Sequence, residues 1–460
     1  MRESPGDTIA AISTAAGRGA IAVVRVSGGN ALEIADAVFE GVSLPDCVSH
    51  TVHYGRVVDA DGRAVDEVLA TVLRAPHTYT TEDMVEFGCH GGAVPAGRVL
   101  SVLIEAGARE ARRGEFTERA FLAGRLDLVQ AEAVADVVAA QTRRGLELAL
   151  GQLEGSLSTE LTALRSALVD FRAEVETLID FPDDEVSGGT RDEILALGRS
   201  VAGHVSRLLE RCDLGVAVRD GVTVAIVGRP NVGKSSIMNA LLERDRSIVT
   251  PLPGTTRDAV EDLLHVDGVL LRLVDTAGWR DGGDAAERAG VGRAVEAARG
   301  ADLAVFVVDG SEPLGREDEA VASALTPRRT VVAVNKEDLG CVVGREALAG
   351  ILAGGTPLAV TRVSALEGSG LRELRESLRS AAAGSDSAEP PLVTNLRHVR
   401  ALERCGTSVQ AALERLAGAG DPSLAAVDLQ DAAEALGDVT GATTAEDVLE
   451  RIFARFCVGK

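Results

Sequence analysis

Lysine is almost missing from this 460-residue chain. Of 47 basic residues only Lys234, Lys336 and Lys460 are lysine. Arginine serves wherever a surface cation is enough. A retained lysine is therefore a candidate for work that needs a compact charge on a flexible stem. Positive charge is also in deficit overall: 70 acidic residues leave a net charge of −23. That excludes a broad nucleic-acid surface of the chain's own, so any RNA contact is expected to be local or made mainly by a partner. Cysteine is sparse and scattered (47, 89, 212, 341, 405, 457), with no C-x-x-C pair. The pattern predicts reduced thiols in a cytosolic protein. No apolar run approaches membrane-spanning length, and no signal-peptide core opens the chain.

What is present is organised around Gly228-Arg229-Pro230-Asn231-Val232-Gly233-Lys234-Ser235, which fits the phosphate-loop pattern G-x-x-x-x-G-K-[ST]. The apolar run Val222–Val227 before it reads as a buried strand, and Ser236 to Leu242 after it reads as the opening of a helix. Backbone N–H groups of such a loop close around phosphate oxygens, and the helix N-terminus adds positive potential. Lys234 is expected to reach the β/γ-phosphates and Ser235 to ligate Mg²⁺.

From the N-terminus, residues 1 to about 120 mix strands and turns. Strands are predicted at Ile21 to Val26, near His53 to Val58, Val68 to Leu73 and Met84 to Phe87, with a helix over Val94 to Ala106. This is an α+β domain. His90 has no His or Cys at metal-ligand spacing, and a structural role is expected of it. Helical periodicity follows in Leu157, Leu161, Leu164, Leu168, Phe171, Val175 and Leu178, then in Ile194, Leu197, Val201, Val205 and Leu208. From about 216 to 379, apolar strands (Val222–Val227, Leu270–Val274, Leu303–Val308, Thr330–Val334, Pro357–Val360) alternate with helices, the pattern of a doubly wound α/β sheet. Ala381 to Pro391 reads as a linker. Helical stripes return with Val399, Leu402, Val409, Leu413 and Leu416, and again from Val448 to Phe456. Helices on both sides suggest a nucleotide domain inserted into one helical domain; two independent bundles are the alternative.

The motifs after the strands complete a guanine-nucleotide site. In Asp275-Thr276-Ala277-Gly278, Asp275 is expected to hold Mg²⁺ through water and the Gly278 N–H to contact the γ-phosphate. Pro253-Gly254-Thr255-Thr256 supplies a Mg²⁺-directed hydroxyl. In Asn335-Lys336-Glu337-Asp338, the Asp338 carboxylate matches guanine N1–H and N2–H₂, and adenine lacks those donors. An unpaired buried acceptor can cost about 10⁴ in selectivity. Ser364-Ala365-Leu366 can offer backbone N–H groups to guanine O6. Trp279 stands where small signalling GTPases carry a water-orienting glutamine, so the water is oriented from elsewhere, with Glu287 the chosen candidate. No arginine stands out as a finger, Arg257 and Arg280 being possible.

Taken together, the chain resembles the MnmE (TrmE) family of tRNA modification GTPases over nearly its whole length. The residues that carry this are Asp7-Thr8-Ile9, Gly17-Arg18-Gly19, Val24-Arg25-Val26-Ser27-Gly28, Glu82-Asp83-Met84-Val85-Glu86, Gly91-Gly92, the run Arg113 to Leu122, Leu126-Asp127-Leu128, the nucleotide motifs in order, and Phe456-Cys457-Val458-Gly459-Lys460. The resemblance implies a folate-binding domain (1–121), a helical domain in two parts (122–215 and 380–460) and a GTPase domain (216–379) inserted between them. It implies a homodimer through the N-terminal domains, and an FAD-containing partner of the MnmG (GidA) kind in a heterotetramer or larger assembly. It implies addition of an aminomethyl-type group at carbon 5 of the tRNA wobble uridine. The one-carbon unit would come from a tetrahydrofolate derivative (the 5,10-methylene or 5-formyl form). By motif position the folate contacts would be Arg25, Glu86, Arg125 and Lys460, with Cys457 near them. The family is potassium-dependent. By position K⁺ would be held by Asn231, Thr250, Leu252 and Thr255, Mg²⁺ by Ser235 and Thr256, and the water by Glu287. The GTP-contacting run would also take in Val232, Gly233, Ser236 and Pro251. An Era-like ribosome-assembly switch is the alternative, disfavoured by the acidic balance and the long N-terminal domain. A third reading, a folate-dependent enzyme with a regulatory GTPase, differs mainly in where the one-carbon step occurs.

Overall fold

The structure is a computed structural model. It describes residues 7–180, 191–212, 215, 219, 221–243, 261–266, 269–275, 296–352, 355–383, 392–418, 421–441 and 446–460. The chain divides into two compact units, one spanning Met1–Val138, Gly151–Ser166 and Ala433–Lys460, the other Ala139–Leu150 and Ala167–Ala432.

In the first unit β1 (Ile9–Ile12), β2 (Ile21–Ser27), β3 (Phe39–Glu40), β4 (Thr51–Val58), β5 (Ala64–Leu73), β6 (Met84–His90) and β7 (Arg109–Glu110) form one sheet in the order β3-β4-β5-β6-β2-β1-β7. The β1–β7 pair is parallel and the other pairs are antiparallel. Side chains alternate between faces with period two. Val24, Val26, Val68, Ala70, Val72, Val85 and Phe87 point to one face, where the helices Ala31–Ala37 and Ala93–Glu105 bury them. Arg25 and Glu86 lie directly opposite each other on the other face. The four strands predicted from sequence are all present. Strands β1, β3 and β7 were not anticipated: β3 and β7 have two residues each, and the run Ile-Ala-Ala-Ile of β1 is buried along most of its length, so it shows no alternation.

Many of the motif residues of the first 122 positions meet in one ion network. Arg119 reaches Asp7 (2.6 Å), Glu82 (3.1 Å) and Glu115 (3.2 Å), and Arg109 reaches Asp7 (2.8 Å) and Glu115 (2.6 Å). Ser27 Oγ donates to Glu82 at 2.8 Å, and the Arg112 N–H to Glu115 at 2.7 Å. The network pins the helix Glu115–Leu122 to the sheet. That helix starts at Gly114, in the left-handed region at φ 73°, where a Cβ would sit 2.5 Å from the Phe453 carbonyl oxygen. The helices Leu128–Ala139 and Glu446–Phe453 share a small core of Ala120, Leu126, Leu128, Val134, Phe453 and Phe456.

The helical stripes form helices as predicted, although Leu178, Leu197 and Val399 are only partly buried and Val448 is exposed. Leu157, Leu161, Leu164, Leu168, Phe171 and Val175 are buried on the helix Ser156–Asp180. In the second unit the helices Arg191–Glu210 and Leu396–Ala417 pack on each other although the whole nucleotide domain separates them in sequence. Gly198 permits the close approach, since a Cβ there would lie 2.6 Å from both Leu413 and Phe171. Helices on the two sides of the nucleotide domain thus pack on each other, as an inserted nucleotide domain requires. The helix Pro422–Thr440 was not anticipated from sequence.

The inserted domain holds β8 (Val222–Val227), β9 (Glu261–Val266), β10 (Val269–Asp275), β11 (Leu303–Asp309), β12 (Thr330–Asn335) and β13 (Ala359–Arg362), in the order β13-β12-β11-β8-β10-β9. All pairs are parallel except β9–β10. Cores fill both faces, which makes the sheet doubly wound. Four details differ from the sequence reading. Strand β9, Glu261–Val266, was not anticipated. The helix after the phosphate loop begins at Lys234 instead of Ser236, and the fifth predicted strand runs Ala359–Arg362 instead of Pro357–Val360. The expected linker begins inside the helix Leu371–Ala383, because Ala381 to Ala383 are good helix formers; its remaining residues lie outside the described set.

Candidate functional site

The chain crosses from one side of β8 to the other, so β8 marks the topological switch point at which open α/β sheets bind ligands. The loop after β8 has the backbone a phosphate cradle needs. Gly228, Asn231 and Gly233 have φ of 155°, 63° and 96°. A Cβ on Gly233 would sit 2.2 Å from Asn335 Nδ2, so only glycine fits. Val232 is fully buried, and Ser235 and Ser236 open the helix Lys234–Glu243 on its exposed side. Lys234 Nζ donates to the carbonyl oxygens of Gly228 (3.0 Å) and Arg229 (2.9 Å), which holds the ammonium across the loop.

The parallel register brings the other motifs to the same edge. Asp309 pairs in register with Asn335, Val334 with Arg362, and Asp275 with Ile226. Asn335 ties the parts together: its Nδ2 donates to the Val232 carbonyl (2.8 Å), and its Oδ1 accepts the Ala365 N–H (3.1 Å). Asp338 Oδ1 accepts the Ser364 hydroxyl at 2.5 Å. Lys336, in the left-handed region, places Nζ 2.6 Å from Asp309 Oδ2. Burial works against charge on Asp309, but Lys336 and the hydroxyl and N–H of Ser311 hold its carboxyl below the usual range. Leu366 is largely exposed beside this group. Two roles are more local than sequence suggested: Ala365 spends its N–H on Asn335, and Ser364 contributes a side-chain hydroxyl. The backbone of Asp275 ends β10 at this edge. Thr250, Pro251, Leu252, Pro253, Gly254, Thr255, Thr256, Thr276, Ala277, Gly278, Trp279 and Glu287 lie outside the described residues.

A second group of side chains gathers in the first unit. Arg25 on β2 binds Glu86 on β6, with Nε and Nη2 both 2.8 Å from Oε1. Its guanidinium carbon lies 5.4 Å from the Tyr79 ring centroid and 5.5 Å from that of Phe116. Arg125 faces the same Tyr79 ring at 5.0 Å and donates to the Tyr79 carbonyl at 2.9 Å. The terminal segment arrives here too. Gly459 O accepts from Ser13 Oγ (3.1 Å) and Arg25 Nη1 (3.3 Å). Lys460 is half-buried; burial, then the nearby Arg25 charge, lowers its pKa. Arg25, Glu86 and Lys460, far apart along the chain, thus share one neighbourhood with Arg125 through Tyr79. Cys457 is exposed. Tyr79 and Ser13 were not singled out from sequence; Phe116 and Thr117, whose hydroxyl lies 2.9 Å from that of Tyr79, entered only within the motif run Arg113 to Leu122, without a role. The one available signal was that Tyr79 is among only two tyrosines.

His90 joins neither group. It is exposed and bound through Nδ1 to Asp66 at 2.6 Å, in keeping with a structural role. Among the described residues no cluster of His, Cys, Asp and Glu could hold a metal, and no helix is long and apolar enough to cross a membrane.

Two family models match: the TrmE N-terminus of GTP-binding proteins over residues 8–125, and the MnmE helical domain over 128–457. A protein of Heliobacterium modesticaldum named tRNA modification GTPase MnmE is 45% identical, across 99% of this chain and 100% of its own length. This chain belongs to the MnmE family. A relative of the same name from Geobacter metallireducens is also 45% identical, over 99% of both chains. Among solved structures, the G domain of the T. maritima FeoB iron transporter covers 35% of this chain and 98% of its own, at 26% identity and a TM-score of 0.24. An Era protein of Aquifex aeolicus covers 41% of this chain and 66% of its own, at 25% identity and a TM-score of 0.27. The match to the MnmE relatives, along 99% of this chain, takes in both side-chain groups described above.

Proposed function

We propose that this chain hydrolyses GTP within an assembly that modifies the wobble uridine of certain tRNAs. The observation that carries the reading is the match along 99% of the chain to relatives named tRNA modification GTPase MnmE. The guanine-nucleotide site gathered at one sheet edge supports it independently.

GTP hydrolysis is the catalysed reaction. A water oxygen attacks the γ-phosphorus as the bond to the β–γ bridging oxygen breaks, and charge builds on the phosphate oxygens. The loop N–H groups and Lys234 receive that charge, and Asp338 selects guanine. Ser235 and Thr256 would hold Mg²⁺, with Asp275 acting through water. Asn231, Thr250, Leu252 and Thr255 would hold K⁺. Both ions, when bound, offset negative charge on the phosphates. Glu287 would orient the water, in place of the side-chain amide that Trp279 lacks.

Arg25, Glu86, Arg125 and Lys460 would receive a tetrahydrofolate derivative. The donor set suits the group: cations for glutamyl carboxylates, a carboxylate for pterin N–H donors, and the partly exposed Tyr79 ring as an apolar wall. We propose the division into 1–121, 122–215, 216–379 and 380–460. We also propose a homodimer through the first of these, an FAD-containing partner of the MnmG kind, tRNA contact mostly through that complex, and a cytoplasmic location. The Era-like alternative is weaker, since the relatives span 99% of this chain and the TrmE N-terminal and MnmE helical models match residues 8–125 and 128–457.

Reconstitution tests this reading. The purified chain, an MnmG-type partner, unmodified tRNA, GTP, methylene-tetrahydrofolate and glycine or ammonium should yield a C5-substituted wobble uridine by mass spectrometry. An unmodified uridine with active GTP turnover would reject it.

A further inference from the structure

Arg25 spends its guanidinium on the protein. Two nitrogens go to Glu86 Oε1, at 2.8 Å each, and the third to the Gly459 carbonyl at 3.3 Å. Both neighbouring rings, Tyr79 and Phe116, lie against the same group, and its side chain is 18% exposed. The segment it grips is built for that approach. Gly459 has φ 89°, and a Cβ there would sit 2.4 Å from the Ile12 carbonyl oxygen. Ser13 Oγ holds the same Gly459 oxygen at 3.1 Å. Upstream, Arg113 Nε donates to the Phe456 carbonyl (2.9 Å), the Gly114 N–H to that of Cys457 (3.4 Å), and Val458 bridges to Arg113.

We infer that Arg25 is a positioning residue, a latch by which the Arg25–Glu86 pair fastens the terminal segment Phe456–Lys460 to the sheet and so places the Lys460 amine. The inference rests on the folate reading only for its consequence. Among the four proposed ligand residues, Arg25 has the further task of setting where Lys460 stands. The lowered pKa of Lys460, from burial and then from Arg25, agrees with that enforced proximity. A guanidinium is suited to the task because its planar fork binds a carboxylate and a carbonyl at once, which an ammonium cannot do with the same geometry.

The test is hydrogen–deuterium exchange over residues 456–460 in the ligand-free full-length chain, alongside calorimetric binding of 5-formyltetrahydrofolate. Arg25→Ala should raise exchange of the segment about tenfold or more, the scale of losing a charge-assisted hydrogen bond. Arg25→Lys should restore only part of the protection. Gly459→Ala leaves the Arg25–Glu86 pair in place but forces the segment off Ile12. It should raise the same exchange and weaken folate binding about as much as Arg25→Ala does. Wild-type protection in Arg25→Ala would overturn the latch, and so would wild-type folate affinity in Gly459→Ala. The exchange measurement contains no folate, so its result is separable from failure of the folate reading.

Discussion

Ser364 donates its hydroxyl hydrogen to Asp338 Oδ1 at 2.5 Å, and its oxygen accepts the Glu367 N–H at 3.1 Å. Ser364 is fully buried, so this is a fixed support for the carboxylate proposed to read the base. A group oriented before its ligand arrives avoids an ordering cost on binding. Ser364→Ala should weaken GDP and GTP about tenfold, the scale of one hydrogen bond to a charged group, and leave base preference unchanged. Titration with a fluorescent guanine nucleotide reads this directly; unaltered affinity would mean that the support contributes nothing.

Asp338→Asn should convert the preference from guanosine to xanthosine triphosphate. The amide presents a donor where guanine also presents one, and xanthine offers an oxygen there. The swing in the ratio of the two affinities should be on the order of 10² or more. Competition between the two nucleotides for wild type and variant measures it, and an unchanged ratio would remove Asp338 from base recognition.

Acid should weaken the first unit through Glu115. Burial disfavours its charged form, but Arg109, the Arg112 N–H and Arg119 override that and hold its carboxyl below the ordinary 4.5. Asp7 is likewise held below 3.8: burial opposes its charge, and Arg109 and Arg119 prevail. Folded values below unfolded ones mean that the stabilisation is full above the ordinary carboxylate range. It is lost as pH falls through the depressed values. Glu115→Gln should cost about 3 kcal/mol near neutral pH, because it leaves two arginines short of a partner. It should also flatten the fall of the unfolding midpoint below about pH 5. Calorimetry across pH decides; a variant curve parallel to wild type would contradict the assignment.

GTP turnover should be much faster in KCl than in NaCl at equal ionic strength, if Asn231 and its proposed partners hold K⁺. Nucleotide binding should depend far less on the cation, because the loop N–H groups and Lys234 serve in both salts. Equal turnover in the two salts would withdraw the potassium role from Asn231.

The periodic parts of this fold were legible because burial on one face imposes a period. The stripe from Leu157 to Val175 is an example; Val222–Val227, buried on both faces, was legible instead as an unbroken apolar run. Short elements without a period escaped, as β1 did with its four residues. The nucleotide site was legible because its residues fall in contiguous motifs, each just past a strand end. The finer division of labour was not: that Asn335 joins Val232 to Ala365 is a tertiary fact without a local signature. The neighbourhood of Arg25 was reached from sequence only by resemblance. Glu86 is 61 positions away and Gly459 is 434, and nothing in spacing announces that the sheet register and the terminal segment bring them together. Glu115 and Arg119 were quoted as motif residues, and their physical reason, one shared ion network, is visible only in the fold.

The most direct test of the central claim is mass spectrometry of tRNA nucleosides from cells lacking this protein, with and without the gene restored. The expected result is loss of the C5-modified wobble uridine, recovered by wild type but not by Lys460→Ala. Wobble uridines unchanged by the deletion would contradict the account and turn attention to ribosome assembly.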